Sequence, residues 1–531
     1  MPLPRIMEKP GHEQRMMHVK QNSATQNTSM ARAAALVMGF FIVSRALGLL
    51  REVVIGAQFG TSAELDAYLA AFRVPDLLFQ LVAGGALGSA FIPTFAARLL
   101  QGDRAKAWRL ASAVANLMAL LLTLTAILAA VSAPWLVRHL LAPGFSAAQQ
   151  ALTVSLMRLM LISTIIFGIS GLVMGALNAM QHFLAPAAAP IIYNLAIIGG
   201  AWLLGGALGV RGLAIGVLVG AAGHLLVQIP ALVRLGARYF PLLDVHDAGV
   251  REIGRLMAPR VLGLAAVQLN FWVNTILASG LPEGRLAALN YGWLLMLLPQ
   301  GIFAQAVATV VFPTFATQVA QHNLAALRST FTTALRTILF FTLPAAIGLI
   351  LLARPLITVL LQRNAFTAAS TALVVTALQL YALGLVGHSV VEVAARAFYA
   401  LHDTATPVVI GVGAMLLNIV LSLLLLGPLQ HGGLALANSI ATTIEMVALL
   451  WLLRRRLGGL QAGMLAPALW RTALASAALG IVVWGWQQAP GVSGAWLKVL
   501  LCLPLGVGVY LTVAWLARAE ELQAIRHLLR R

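Results

Sequence analysis

Residues 144–154 read GFSAAQQALTV, and residues 365–375 read AFTAASTALVV. The two stretches align without a gap, 221 residues apart. Three further pairs share nearly the same offset: GALNAMQHFLAP (175–186) with RAFYALHDTATP (396–407), PTFA at 93–96 with 313–316, and GLA at 212–214 with 433–435. Four matches at one offset predict an internal duplication, and therefore two lobes built alike.

The composition around this repeat is that of a membrane protein. The chain has 531 residues, of which 60% are hydrophobic and 10% are charged, whereas soluble domains carry about 25% charged residues. The net charge of +19 does not indicate nucleic-acid binding, because the Lys and Arg residues are spread over short loops and form no single basic face. Cys502 is the only cysteine, which excludes an intrachain disulfide and a cysteine-based metal site.

A helix needs about 20 apolar residues to cross a bilayer, and this criterion predicts an all-α polytopic protein with about fourteen transmembrane helices. The predicted spans are 31–58, 64–95, 108–135, 149–180, 184–206, 212–234, 252–280, 284–318, 328–352, 370–401, 405–427, 433–453, 466–488 and 493–517. Each repeat unit holds six spans, so both copies should enter the membrane in the same direction, with the substrate site between them.

The repeat also divides the chain into predicted regions: a disordered basic tail (1–30), an N-lobe (31–234), a linker (235–251), a C-lobe (252–456), two additional spans (457–518) and a second tail (519–531). Basic clusters concentrate in alternate loops, on the side of both tails. The positive-inside rule therefore predicts that both termini and the linker are cytoplasmic.

The first two spans carry charged residues at an unusual density: Arg45, Arg51 and Glu52 in the first, and Asp66, Arg73 and Asp76 in the second. Each costs about 2.5–3.5 kcal/mol at the centre of a spanning helix on insertion scales. Asp66 and Arg73 share a helix face. Salt bridges and snorkelling at the helix ends would account for such residues. The alternative is a hydrated cavity whose arginines bind an anionic substrate such as a phosphate.

Two further groups suggest moving parts. His388, Glu392 and Arg396 lie at i, i+4 and i+8 on one face of the tenth span, either as a structural ion pair or as an element that responds to protons or cations. Gly84 and Gly85 interrupt the second span, either for close helix packing or as a bending point. The DVHD run at 244–247 lacks further ligands, so we expect no metal site there.

Several stretches resemble the lipid II flippase family (MurJ, also called MviN) of the multidrug/oligosaccharidyl-lipid/polysaccharide exporter superfamily. These are SRALGLLREVVIGAQFG (44–60), LDAYLAAFRVPDLL (65–78), GGALGSAFIPTFA (84–96) and FYALHDTATPV (398–408). The resemblance implies fourteen spans, two six-helix lobes around a cationic cavity, and a groove at the last two helices for the lipid tail. It also implies that Arg45, Arg51, Glu52 and Asp66 are functional, with Arg73 as an additional substrate-binding candidate.

The sequence departs from the family pattern at two places. PDLLFQLVAGGA (75–86) has Phe79, Gln80 and Gly84 where the family has arginines and a glutamate, and NYGWLLMLLP (290–299) has Leu294 where the family has an arginine. The arginines that the family has at these two places in the cavity are therefore absent from this chain. Arg73 lies about two turns from Phe79 and is the nearest candidate to compensate.

The resemblance implies a flippase of the bacterial inner membrane, acting in peptidoglycan biosynthesis and associated with the cell-wall synthesis machinery. It would move undecaprenyl-pyrophosphate-linked sugar-peptide between leaflets by alternating access, with no catalytic residue, cofactor, metal or nucleic acid. Two alternatives remain open: an exporter of another lipid-linked saccharide or amphipathic substrate, and a transport-inactive cell-wall scaffold. A glycosyltransferase is disfavoured, because the loops are short and basic and the chain has only 16 acidic residues.

Overall fold

The computed structural model describes residues 12–82, 85–489 and 494–522, with side chains described from residue 36 onward apart from 82, 85–87, 89 and 258–267. Over these residues the chain forms sixteen helices. They are α1 (His12–Phe59), α2 (Ala63–Val82), α3 (Gly85–Leu100), α4 (Arg104–Leu141), α5 (Ala147–Ala179), α6 (Leu184–Leu208), α7 (Val210–Arg234), α8 (Ala248–Ser279), α9 (Arg285–Ala320), α10 (Leu324–Leu360), α11 (Ala368–Ala382), α12 (Leu385–Ala400), α13 (Ala405–Leu429), α14 (His431–Arg456), α15 (Ala462–Gln487) and α16 (Ala495–Leu516).

Each of the fourteen predicted spans corresponds to one helix or to a pair of consecutive helices. Ten of them are long and apolar enough to cross a membrane. The pair α11 and α12, bent by 45°, passes the same test together. The three remaining predicted spans correspond to α1, to the pair α2 and α3, and to α8. The all-α polytopic prediction is therefore confirmed. Residues 12–30, predicted as part of a disordered tail, are instead helical, because α1 begins at His12.

The internal repeat reappears in the backbone. Gln181 and His402, 221 residues apart, both adopt positive φ angles, 58° and 59°. The same offset relates two helix N-caps, since the hydroxyls of Ser146 and Thr367 each accept a hydrogen bond from the backbone three residues on. Side-chain oxygens are the usual N-cap acceptors for such otherwise unpaired amides. Turn and capping positions are thus duplicated together with the sequence.

The helices pack as two lobes. In the N-lobe, α5 contacts α2, α4 and α7, while α6 packs between α1 and α7. In the C-lobe, α14 contacts α11, α12 and α13, and α9 packs on α11. Helix α8 lies between the lobes, against α2 and α3 on one side and α13 on the other.

The last two helices form a hairpin on the outside of the C-lobe. Both α15 and α16 pack on α10, and the Tyr510 hydroxyl donates to the Phe340 carbonyl at 2.5 Å. Arg336 on α10 bonds Glu521 at 2.7 Å and Glu520 at 2.9 Å, just beyond the end of α16. These contacts therefore fix the C-terminal end of the hairpin to α10.

The linker carries the DVHD run, whose acidic residues have structural partners. Asp244 accepts from the backbone amides of His246 and Asp247. Asp247 caps α8 through the amides of Gly249 and Val250, and it pairs with Arg98 at 2.7 Å. Burial works against ionisation of Asp247, but Arg98 and the backbone amides outweigh it and lower the pKa of this carboxyl. Both aspartates are thereby engaged in holding the turn before α8.

Candidate substrate cavity between the lobes

The two lobes meet through Asp66, at the end of the bundle that the positive-inside rule places outside the cell. This predicted outer end contains loops 60–62, 142–146, 280–284 and 361–367. The Asp66 carboxylate accepts hydrogen bonds from the backbone amides of Gly284 at 2.6 Å and Ala287 at 2.7 Å. These amides lie at the start of α9, where the helix dipole favours a negative charge. Asp66 therefore caps a helix of the opposite lobe.

Three more hydrogen bonds close the predicted outer end. The amide of Ala365 donates to the carbonyl of Ala57 at 3.0 Å, the Thr61 hydroxyl donates to Ser370 at 2.8 Å, and the amide of Gly144 donates to the Ser279 hydroxyl at 3.2 Å. Gly60 and Gly284 have φ angles of 58° and 80° where the backbones cross, and a Cβ at either would collide with the opposite loop. Glycine is required at both positions.

Below this closure lies a cavity of about 400 Å³ on the N-lobe side, here called the N-chamber. Aromatic side chains form much of its wall, and Phe79 packs edge-on against Phe167 at 5.6 Å. Its lining residues include Arg51, Glu52, Tyr68, Phe72, Asp76, Phe79, Phe167, Tyr193, Asn290 and Tyr291. Phe79 thus occupies the cavity wall at one of the positions where the resemblance implies an arginine.

Arg51 is the cation of the N-chamber. Its guanidinium donates to Glu52 at 2.6 Å and 3.2 Å, and to the side-chain oxygen of Asn194 on α6 at 3.1 Å. Glu52 is 8% exposed. The pair holds Arg51 in one orientation at the wall, where its planar fork is the geometry suited to a phosphate.

A second cavity of about 610 Å³, the C-chamber, adjoins the first on the C-lobe side. Asp76 and Asn290 belong to the walls of both chambers. Apart from Arg73 and Gln80 of α2, the remaining walls come from six helices of the C-lobe and include Gln268, Asn270, Phe271, Asn274, Trp293, Tyr381, His388, Tyr399, Asn438, Thr442 and Glu445. The two chambers therefore form one composite site that spans the interface between the lobes.

Arg73 and Asp76 on α2 bridge to α8 at the boundary of the chambers. Arg73 donates to Thr275 at 3.0 Å and stacks over the Phe271 ring at 5.4 Å. Asp76 accepts from Gln80 at 2.9 Å and from Gln268 at 3.2 Å. Both side chains are satisfied by the protein while they face the cavity.

The composite site is not cationic. Its walls carry two arginines, Arg51 and Arg73, and three carboxylates, Glu52, Asp76 and Glu445. The cationic cavity that the resemblance implies is therefore not what the described side chains form. Phe79 contributes an aromatic surface, and Leu294 lines neither chamber.

The other predicted substrate-binding residues lie outside the chambers. Arg45 is exposed on α1, with its guanidinium beside Gly301 of α9. Asp66 is 3% exposed and fully engaged with α9, so its position does not support substrate contact. The spacing in the sequence predicts that Asp66 and Arg73 share a face of α2. It does not predict that Asp66 caps α9, a helix that begins more than 200 residues later in the chain.

The predicted gating residues divide into three cases. His388 lines the C-chamber, where its Nε2 lies 2.9 Å from the Asn438 oxygen and its ring packs edge-on against Trp293. Glu392 and Arg396 form the structural ion pair that the sequence allows, at 2.9 Å, and line neither chamber. Gly85 begins α3, while Gly84 lies outside the described residues. The bending role of these glycines stays a prediction.

An apolar groove of about 350 Å³ runs between α10 and α15. Its lining is Ile347, Ile350, Leu351, Ser476, Ala477, Gly480, Ile481 and Trp484. The groove includes one of the two helices for which the resemblance implies a lipid-tail site.

Several cavity residues were not predicted as site residues from the sequence, notably Gln268, Asn290, Tyr193 and Glu445. Single amides and aromatic residues within apolar spans are common, and only the three-dimensional arrangement brings them to one wall. For Glu445 the available signal is its charge within an apolar span, where an ionisable residue is costly.

Comparison with known proteins places these observations in a family. The sequence profile of the family described as "Lipid II flippase MurJ" matches residues 55–503. A Burkholderia cenocepacia protein named "Lipid II flippase MurJ" is 30% identical over 439 residues, covering 81% of this chain and 84% of that relative. A Rhizobium tropici protein named "Probable lipid II flippase MurJ" is 31% identical over 503 residues, with 92% and 88% covered.

Solved structures agree with the sequence relatives. The structure of a lipid II flippase MurJ in an inward closed conformation superposes with a TM-score of 0.78 at 27% identity, covering 90% of this chain and 98% of that chain. A multidrug resistance transporter of the MATE family, in an inward-facing conformation, superposes with a TM-score of 0.64 at 16% identity, covering 78% and 98%. The second match concerns the fold alone.

Proposed function

Because this chain belongs to the lipid II flippase MurJ family, we propose that it is a multi-pass inner-membrane flippase for lipid II. It would move the undecaprenyl-pyrophosphate-linked sugar-peptide from the inner to the outer leaflet without changing it chemically. Both termini would lie in the cytoplasm, as the distribution of basic loops predicts. The closure through Asp66 would then face outward, and the chambers would receive substrate from the inside.

The observation that carries the proposal is the composite site itself. A pyrophosphate cannot cross the hydrocarbon core without losing its hydration, and the two chambers offer polar groups from both lobes below the closure. Arg51, held by Glu52 and Asn194, is the cation best placed to bind the pyrophosphate in the N-chamber. The apolar groove between α10 and α15 would accommodate part of the lipid chain.

Growth rescue of a bacterium depleted of its own lipid II flippase tests the proposal. We expect the wild-type chain to restore growth and Arg51→Ala to fail, because Ala removes the cation but leaves the wall otherwise intact. Arg45→Ala tests a different position, because Arg45 lies beside α9 and outside both chambers. Loss of growth rescue in this variant would indicate a role at the contact between α1 and α9 instead of a role inside a chamber. Absence of rescue by a wild-type protein that is inserted and stable would contradict the proposal.

A second candidate function follows from the balance of charges among the described residues of the cavity, two arginines and three carboxylates. The same fold could export another lipid-linked saccharide or an amphipathic substrate, for which Phe79 and the aromatic wall are better suited than arginines. A transport-inactive scaffold within the cell-wall machinery is the third candidate. Rescue by the wild-type chain excludes the scaffold, and direct binding of lipid II to the purified protein separates the first two.

A further inference from the structure

Glu445 on α14 is a carboxylate in the C-chamber with no partner among the described residues. It lines the cavity beside Gly411 and Tyr399 and appears in no hydrogen bond or ion pair formed by the described side chains. An ionisable residue in a membrane span is rare, faces a partner or a water-filled cavity, and marks a substrate or ion pathway. A cation that enters the chamber would supply the partner that the described residues do not.

Two nearby cations among the described side chains, Arg73 and Arg396, have other partners. Arg73 bonds Thr275 and stacks on Phe271 at the opposite wall. Arg396, one helix away, pairs with Glu392 at 2.9 Å. Neither residue neutralises Glu445 in this conformation.

The other walls of the C-chamber also suit a cation. Trp293 and Tyr381 line the cavity with aromatic rings, and aromatic faces attract ammonium groups. The side-chain oxygen of Asn274 has no hydrogen-bond partner among the described residues and provides an acceptor in the same cavity. An ammonium group donates three hydrogen bonds and accepts none, so this set of groups matches it.

We propose that Glu445 binds a primary ammonium carried by the peptide portion of the substrate headgroup, and that it determines specificity for headgroups with that charge. The inference rests on the proposed function. The headgroup would then lie across the boundary formed by Asp76 and Asn290, with its pyrophosphate at Arg51 and its amine at Glu445. Opposite charges at the two ends of the headgroup explain why the cavity needs no net positive charge.

The test compares two lipids that differ by one charge. Full-length protein in lipid nanodiscs is titrated with lysine-containing lipid II and with the same lipid acetylated on the lysine side-chain amine. The variants are Glu445→Gln and, as a matched control, Glu283→Gln, which changes an exposed loop carboxylate. Each titration is performed in sodium buffer and in sodium-free buffer, because a free monovalent cation would offer the same chemistry as the ammonium.

We expect the wild type to prefer the free amine about tenfold, the scale of one charge-assisted contact. Glu445→Gln should abolish that preference and bind the acetylated lipid as the wild type does, while Glu283→Gln retains the preference. Equal binding of both lipids by the wild type, or an unchanged preference in Glu445→Gln, overturns the inference. Sodium-dependent binding of both lipids that disappears in Glu445→Gln assigns the site to a free cation and also overturns it. Binding of neither lipid contradicts the proposed function itself.

Discussion

The carboxylate of Asp66 lies 2.7 Å from the backbone amide of Ala287, so a side chain of the N-lobe completes the first turn of a helix in the C-lobe. The contact is buried and is joined by a second amide, that of Gly284. This relationship makes the closure at the predicted outer end dependent on one charged group.

Replacing Asp66 by Asn should weaken that closure. The carboxamide can present only one oxygen to two amides, so one buried N–H loses its acceptor, at a cost of about 1–3 kcal/mol. We expect growth rescue to fall sharply, while Asp66→Glu retains part of it. Accessibility of a cysteine at Ser370 to a membrane-impermeant reagent, measured in a Cys502→Ser background, should rise in Asp66→Asn. Unchanged labelling would show that Asp66 does not hold the closure.

A disulfide between positions 61 and 370 should lock the same end. The hydroxyls of Thr61 and Ser370 are 2.8 Å apart, a distance that suits side chains joined by a disulfide. We expect Thr61→Cys/Ser370→Cys to lose growth rescue under oxidising conditions and to regain it with a reductant. Each single variant serves as the control. Full activity of a fully oxidised double variant would show that the lobes need not separate here.

Restoring a cation to the N-chamber should strengthen binding of an anionic headgroup. Phe79→Arg places a guanidinium where Phe79 now packs against Phe167, while Phe79→Leu removes the ring without adding charge. For lipid II we expect a lower Kd for Phe79→Arg, by about tenfold, together with a steeper dependence on salt. Equal affinities of the Arg and Leu variants at low salt would argue against a pyrophosphate in this chamber.

The α15–α16 hairpin should be sensitive to Arg336. Its side chain is 7% exposed and pairs with Glu521, also 7% exposed, and with Glu520, which is 62% exposed. Arg336→Ala leaves a buried carboxylate without its partner, which typically costs about 3–5 kcal/mol, so the thermal midpoint in detergent should fall clearly. Glu520→Gln removes an exposed contact and should change the stability by less than about 1 kcal/mol. Equal midpoints for the two variants would contradict this assignment.

The sequence predicts the helices, the duplication and the lobes because each depends on local or periodic signals. Apolar length defines α13, and the repeat at 144–154 and 365–375 predicts the duplication, which the structure shows again in the matching N-caps at Ser146 and Thr367. A polar environment around Arg51 is also predictable from the sequence, since an arginine within an apolar span needs polar groups or water around it.

The arrangement inside the cavity could not be predicted in the same way. The resemblance implies a functional role for Asp66, but in the structure its partners are backbone amides at the start of α9, and no side chain in the sequence indicates them. Glu445 lines the same cavity as the aromatic residues of α8, α9 and α11 because six helices of the C-lobe converge there. A property of tertiary packing of this kind leaves no trace in the spacing of residues along one helix.

The closure at the predicted outer end consists of five hydrogen bonds between the lobes, two of them to Asp66. The three bonds between neutral groups are worth about 0.5–1.5 kcal/mol each and the two bonds to the Asp66 carboxylate about 1.5–3 kcal/mol each, so the latch formed by these five bonds is worth about 5–10 kcal/mol. One elementary charge crossing a potential of 100 mV provides about 2.3 kcal/mol, and differential binding of a ligand to two states can supply a similar amount. Each of these contributions is smaller than the latch, so opening this end in a transport cycle would combine binding of the cargo with the movement of more than one charge.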